Sequence, residues 1–218
     1  MPTGTEIADI LQPWRPLALR RVAAHIAHGY EPELIILRTH YGADDDSAEK
    51  MGEWLEIDQE EDEFFDEETL WWRILDDPVL FNVGEEWERV LDLLPELAGR
   101  TGSQRCKEGI RAAELAEARE AKDTEEVVQN LAFTGPAPLL IADKEAFREG
   151  KLRVLFLDSH GNIVRHSRIE PEKMAELKQS AMIYRLESSQ WWEYGEVGEK
   201  YKPEGEIGRV LYTTSHDG

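Results

Sequence analysis

Two histidines and two aspartates follow short apolar runs of the kind that form buried strands. His40 comes after the first run, Asp143 after the second, and Asp158 and His160 after the third. In open α/β sheets, ligands bind beyond the carboxyl ends of the strands, so these side chains converge if the strands run parallel. A histidine oriented by a carboxylate can act as a general base. His40, Asp143, Asp158 and His160 are therefore the candidate catalytic residues of a hydrolase-type enzyme acting on a small molecule.

The same four residues also have purely structural interpretations. Asp143 precedes a short helical stretch that begins at Lys144, and an aspartate in that position caps a helix. Asp158 opens the segment 158–162, whose Asp, Ser, Gly and Asn residues are typical of a turn. The two histidines then lie in loops. Because these roles explain the residue types without any substrate, they are favoured over catalysis.

Three continuous apolar runs predict the strands that would carry these residues. They cover residues 33–39, 139–142 and 152–157, and each has the composition of a strand buried on both faces. Residues 163–169 follow the turn and predict the second strand of a hairpin at an edge of the sheet. Strands buried on both faces need helices on both sides, and at least six segments have helical patterns. We therefore expect an α/β three-layer sandwich with a mixed, mostly buried sheet.

Helices are predicted between and after these strands. An acidic and aromatic segment is expected to be helical as far as Asp77, and another helix is expected from Glu85, bent at Pro95 and ended by Gly99. The tail suggests a short helix at Trp191 and a final strand over residues 208–212. Taken together, the pattern predicts a single α/β domain over residues 1–218, with an acidic helical insert at about residues 43–132.

The charge of the chain is strongly uneven. The 218 residues carry a formal net charge of −21, and residues 43–68 contain 14 acids and one base, Lys50. A chain of this charge is repelled by nucleic acids and by anionic membrane surfaces. No apolar stretch is long enough to cross a membrane, no secretory signal is visible, and the single cysteine, Cys106, fits a reducing compartment. We expect a cytoplasmic protein, or alternatively a nuclear one, that binds neither nucleic acid nor membranes.

Motifs for cofactors and metals are missing from the sequence. It has no glycine-rich phosphate loop and no nucleophile elbow, and its acidic block lacks the glycine turn of a calcium-binding loop. His25 and His28 are spaced to share a metal ion, but no third ligand follows at a recognisable spacing. The sequence thus predicts no cofactor and no metal.

The acidic block is interleaved with aromatic residues, which is typical of a surface that binds basic proteins. Charge would steer the encounter and the aromatic rings would anchor it. The opposite interpretation, aromatic rings in the core and carboxylates on a hydrated face, stays open. The leading prediction is a non-enzymatic module that binds a basic protein partner. The candidate partner-binding residues are Glu60, Glu61, Asp62, Glu63, Phe64, Phe65, Trp71 and Trp72.

The sequence also resembles parts of two known families. Residues 154–165 and the helix from Glu172 resemble the C-terminal half of a thioredoxin-like domain, without its cysteine pair or its proline, so redox activity is not implied. Arg38-Thr39 after the first strand and the acidic-glycine element before Arg209 resemble an uncharacterised α/β domain family of unknown function. In this chain His40 replaces the family's usual acid after Arg-Thr. That resemblance implies a fold and no activity.

Overall fold

The computed structural model describes residues 34–42, 46–60, 74–98, 138–158, 160–182 and 190–212, with the single positions 16, 19, 20, 22, 23, 26 and 128. The strands and helices of these residues are β1 (Ile35–Arg38), α1 (Asp46–Glu60), β2 (Ile74–Leu75), α2 (Pro78–Phe81), α3 (Val90–Leu93), β3 (Leu139–Ala142), α4 (Lys144–Glu149), β4 (Leu152–Leu157), β5 (Ile163–Ile169), α5 (Met174–Met182), α6 (Gln190–Glu193), β6 (Glu196–Val197) and α7 (Gly208–Tyr212).

The strands form one mixed sheet of six in the order β2-β1-β3-β4-β5-β6. β1 pairs in parallel with β2 on one side and with β3 on the other, with Arg38 opposite Ala142. β4 runs antiparallel to β3, and β5 and β6 continue antiparallel from there. The predicted α/β class and mixed sheet are thus confirmed. The carboxyl ends of β2, β1 and β3 meet at one edge, whereas that of β4 lies at the opposite edge.

Alternate residues of the central strands enter two different apolar clusters. Ile36, Leu140 and Val154 belong to one cluster, together with Met51 and Trp54 of α1. Their sequence neighbours belong to the other, which includes Trp87 and Val90. The neighbours that enter this second cluster are Ile35, Leu37, Leu139, Ile141 and Leu155. Because successive strand side chains point to opposite faces, continuous apolar runs fill both clusters.

The longest described helix, α1, packs one side against the sheet. Met51 and Trp54 are buried, and the Trp54 ring stacks on the ring of Phe147 at 5.2 Å with an interplanar angle of 3°. Lys50 Nζ donates a hydrogen bond to the carbonyl oxygen of Phe147 at 2.9 Å. Ring stacking and a charge-assisted hydrogen bond therefore fix α1 against α4 at two neighbouring points.

Four local predictions are changed by the structure. Residues 74–75 form β2 beside β1, inside the range predicted as a helical insert. Asp77 does not end a helix but caps the N-terminus of α2, whose first residue is Pro78. The helix expected from Glu85 to Gly99 is broken into a 3₁₀ turn, the four-residue α3 and a second 3₁₀ turn over Pro95–Ala98. Residues 208–212 form α7, not a strand. β5 is not an edge strand, since β6 pairs with its residues Arg165 and His166.

Candidate functional site

The edge where the parallel strands end gathers the residues that follow β1, β2 and β3. Arg38 is the last residue of β1, and Asp76 and Asp143 come directly after β2 and β3. The parallel pairing aligns Leu37 with Leu75 and Arg38 with Ala142, so the three strands end in register with one another. This edge is where an α/β sheet offers a ligand site.

Arg38 is the buried charge at this edge, only 7% exposed. Its Nη2 donates to Ser47 Oγ at 3.1 Å, its Nε donates to the carbonyl oxygen of His40 at 3.1 Å, and its Nη1 lies 3.4 Å from Asp76 Oδ2. The guanidinium also lies 4.5 Å from the centre of the Tyr41 ring. A buried cation needs such partners. Arg38 therefore ties β1 to α1 and to the end of β2, and its role is positional.

Thr39 and Tyr41 follow Arg38 at the carboxyl end of β1. The Thr39 amide donates to the carbonyl oxygen of Ala142 at 3.1 Å, and its own carbonyl accepts from Gly84 at 2.8 Å, so the residue joins β3 to the turn before α3. Burial, followed by the charge of Asp76, raises the pKa of Tyr41 well above its usual value, although Arg38 opposes the shift. The Tyr41 hydroxyl therefore holds its proton more tightly than an exposed tyrosine does.

Two of the four predicted catalytic residues, His40 and Asp143, lie at this edge. His40 lines a cleft of about 450 Å³ together with Ser47, Lys50 and Phe147. Asp143 is occupied otherwise: its Oδ1 caps α4 by accepting from Ala146 N at 2.7 Å, and its two oxygens accept from Arg168 at 3.0 and 3.3 Å. No hydrogen bond joins these two described residues. Asp143 thus acts as a cap and an ion-pair partner.

The other two, Asp158 and His160, lie at the opposite edge, because β4 runs antiparallel to β3. Asp158 is buried, and its Oδ1 accepts from the amides of His160 at 2.8 Å and Asn162 at 2.9 Å. Its Oδ2 accepts from Asn162 Nδ2 at 2.8 Å and from the Tyr201 hydroxyl at 2.9 Å. These bonds build the β4–β5 turn. The expectation that His40, Asp143, Asp158 and His160 converge is therefore corrected, since it required parallel strands.

The predicted partner-binding residues begin at the end of α1. Glu60 is the last residue of that helix. Its side chain and residues 61–73, which include Glu61, Asp62, Glu63, Phe64, Phe65, Trp71 and Trp72, lie outside the described residues. Their role in partner binding stays a prediction.

The described part of the acidic block forms a row of carboxylates along α1. Asp46, Glu49, Glu53 and Glu56 are all exposed, whereas Ser47, Met51 and Trp54 are buried on another side. At about 100° per residue, the four acids fall within an arc of about 80°. None of them forms an ion pair with a described residue. We call Asp46, Glu49, Glu53 and Glu56 the acidic face.

A second and larger cleft, of about 660 Å³, lies over β3, β4 and β5 and was missed from the sequence. Its basic residues are Lys144 of α4, Arg153 of β4, and His166 and Arg168 of β5, with Tyr194 and Trp87 as its aromatic residues. The sequence does contain a signal for it. His166 and Arg168 are spaced i, i+2 after the turn at residues 158–162, and Arg153 lies at a similar distance before that turn. Hairpin pairing places these side chains on one face of the sheet.

No family model matches the chain, and neither the curated proteins nor the solved structures contain a significant match to it. Within the described ranges, no three histidine, cysteine or acidic side chains are placed to hold a metal ion. None of the helices in those ranges has the length and apolar character needed to span a bilayer.

Proposed function

We propose that the protein is a non-enzymatic interaction module that binds a basic protein partner through the acidic face of α1 and the aromatic-rich segment that follows it. The observation that carries the proposal is the row of exposed carboxylates on α1, which no described cation neutralises. Lys50, the one base among residues 43–68, donates instead to the carbonyl oxygen of Phe147. A cationic surface would supply the missing counter-charge.

Asp46 and Glu49 in the first turn suit the helix dipole, but the rest of the charge pattern of α1 is unfavourable for the helix. Glu49 and Glu53 are spaced i, i+4, and Glu53 and Glu56 are spaced i, i+3, so like charges lie side by side. The last turn contains no base, although a cation there would stabilise the helix dipole. Packing of Met51 and Trp54 holds the helix in place despite this repulsion. A bound basic partner would relieve it, which favours a binding role for the face.

The residues after α1 would add affinity to the encounter that the acidic face steers. The carboxylates of Glu61, Asp62 and Glu63 extend the negative charge. Aromatic side chains are the usual anchors of protein interfaces, because they bury a large area at low entropic cost. In this proposal the anchors are Phe64, Phe65, Trp71 and Trp72.

Two finer points belong to the same proposal. We infer that the sheet lies between two helical layers, because the alternating residues of β1, β3 and β4 divide between two apolar clusters. A module with one cysteine and no basic cluster fits the cytoplasm or the nucleus, and its charge disfavours direct binding of nucleic acid.

The test is a calorimetric titration with a defined cationic probe, a ten-residue lysine peptide. The wild-type protein is compared with the triple variant Glu49→Gln, Glu53→Gln, Glu56→Gln. A matched control, Glu88→Gln, Asp92→Asn, Glu172→Gln, removes the same charge from exposed positions outside α1. Both variants lose three negative charges. A difference between their affinities therefore reports binding to the acidic face, and not the general attraction of an acidic protein for a polycation.

We expect the α1 variant to bind about 10-fold more weakly and the control to change by less than about 2-fold, since exposed ion pairs contribute up to about 1 kcal/mol each. Affinity of the wild type should fall steeply between 50 and 500 mM salt, as an order of magnitude in ionic strength screens exposed charges. Equal losses in the two variants would overturn the proposal, and so would binding indifferent to salt.

A further inference from the structure

The 660 Å³ cleft over the centre of the sheet contains an unusual pair of cations. Arg153 of β4 lies directly opposite Arg168 of β5 in the strand register. His166, two residues before Arg168, faces the same side because strand side chains alternate. Like charges opposite each other across a strand pair are destabilising. The register therefore places two guanidinium groups side by side on one sheet face, in a cleft whose lining also includes Lys144 and the carboxylates of Glu85, Asp143, Glu145 and Glu196.

Only one of the two arginines is neutralised by described residues. Arg168 pairs with both oxygens of Asp143, at 3.0 and 3.3 Å, and with Glu145 Oε2 at 2.6 Å. Arg153 is partly buried in the same cleft and forms no ion pair or hydrogen bond with any described residue. A planar guanidinium without an ion-pair partner among the described residues is suited to binding a carboxylate or a phosphate through two parallel hydrogen bonds.

An aromatic side chain stands at the mouth of the cleft. Tyr194, directly after α6, is 78% exposed and is one of two large apolar side chains exposed to that extent among the described residues. Exposed aromatic rings at a cleft commonly contact the flat part of a ligand. Glu85 and Glu196 also line the cleft. These carboxylates oppose a ligand of high negative charge and favour one with a single anionic group.

We propose that this cleft binds a small molecule with one anionic group, a carboxylate or a phosphate, attached to an aromatic ring. Arg153 binds the anionic group, Arg168 and His166 border it, and the ring contacts Tyr194. The site is separate from the acidic face of α1, and the inference does not depend on the proposed partner binding.

His166 provides a local reporter of the bound anion. Burial, followed by the positive charge of Arg153, lowers its pKa, and Arg168 and Lys202 act in the same direction while Glu196 opposes them. Glu196 Oε2 lies 3.9 Å from His166 Nε2. An anion bound to Arg153 offsets the cations and favours protonated His166, so its pKa should rise on binding. By linkage, binding should then weaken as the pH rises through that higher pKa.

The experiment is an NMR titration of the full chain with three probes: phenyl phosphate, benzoate and inorganic phosphate. The ring proton signal of His166, assigned from a His166→Gln variant, reports the pKa with and without probe. Phenyl phosphate and benzoate distinguish the two kinds of anionic group, and inorganic phosphate shows how much the ring contributes. Arg153→Gln removes the proposed anion ligand, and Arg89→Gln is the matched control, since Arg89 is exposed and pairs only with neighbouring Glu86 among described residues.

We expect saturable binding of phenyl phosphate or benzoate, a rise in the pKa of His166, and weaker binding of inorganic phosphate. Arg153→Gln should weaken binding by at least about 10-fold, as expected for the loss of a charge-assisted hydrogen-bonded pair. Tyr194→Ala should weaken the two ring probes but not inorganic phosphate. The proposal is overturned if no probe shifts the His166 signal at 10 mM, or if Arg153→Gln and Arg89→Gln bind equally well. Amide spectra of each variant show that it is folded.

Discussion

Arg38 at the end of β1 donates a hydrogen bond from Nη2 to Ser47 Oγ in the first turn of α1, at 3.1 Å. This buried contact connects the sheet to the helix that carries the acidic face. Together with the bond from Lys50 to Phe147 and the stacking of Trp54, it holds α1 at a fixed position against the sheet edge. A row of like charges kept in a fixed arrangement can match a partner's cations without paying the entropy of ordering a flexible segment.

Replacing Arg38 should destabilise the protein more than removing an exposed arginine. In Arg38→Met, the Ser47 hydroxyl and the Asp76 carboxylate lose their cationic partner, so the free energy of unfolding should fall by about 2–3 kcal/mol. Arg148→Gln is the control, because Arg148 is 67% exposed and solvent screens its ion pairs, so they should contribute little to stability. Urea denaturation measures both. Equal stabilities for the two variants would show that Arg38 does not anchor α1.

Asp158 should prove structural, not catalytic. Asp158→Ala leaves the His160 and Asn162 amides and the Tyr201 hydroxyl without their acceptor, and should cost about 3 kcal/mol or more of unfolding free energy. Tyr201→Phe removes one of these bonds and should cost about 1–2 kcal/mol. Thermal or urea unfolding gives both values. If Asp158→Ala is as stable as the wild type, the assignment to the turn is wrong.

The stability of the protein should depend on His166 in slightly acidic solution. Its pKa is lowered in the folded protein, chiefly by burial, so the unfolded chain binds the proton more readily. The contribution is fully present above the ordinary pKa of about 6.5 and is lost as the pH falls from there through the lower pKa of the folded state. Unfolding curves between pH 8 and pH 5 should show this loss, and His166→Gln should show a smaller one. Identical pH profiles for the two proteins would contradict it.

Introducing a base on the acidic face should stabilise the isolated protein. Glu56→Lys converts the like-charge contact with Glu53 into an attractive one and places a cation near the C-terminal end of α1. The free energy of unfolding should rise by about 0.5 kcal/mol in low salt, and the gain should shrink in 1 M salt. The same variant should bind the lysine peptide more weakly. If Glu56→Lys is more stable but binds the lysine peptide as well as the wild type, the proposal that the repelling carboxylates of α1 form the binding face is contradicted.

The four longer strands could be predicted from sequence, because each is a run of apolar or alternating residues with its own local signal. β2 and β6 could not, since two-residue strands such as Ile74–Leu75 and Glu196–Val197 arise only from pairing with a neighbour. Residues 208–212 were wrongly assigned to a strand from their apolar content alone. Strand direction has no local signal either, and that is why Asp158 was expected beside His40. The structural interpretation of Asp143 and Asp158, based on capping and turn chemistry, was the accurate one.

The central claim, that the acidic face of α1 binds cations of a partner, is tested most directly by mapping the bound lysine peptide on the protein. Amide chemical shifts are followed by NMR in 50 mM salt as the peptide is added. The largest changes should fall on residues 46–57 of α1, and they should vanish in 500 mM salt. Changes spread evenly over exposed acids such as Glu88 and Glu172, with no preference for α1, would contradict the claim.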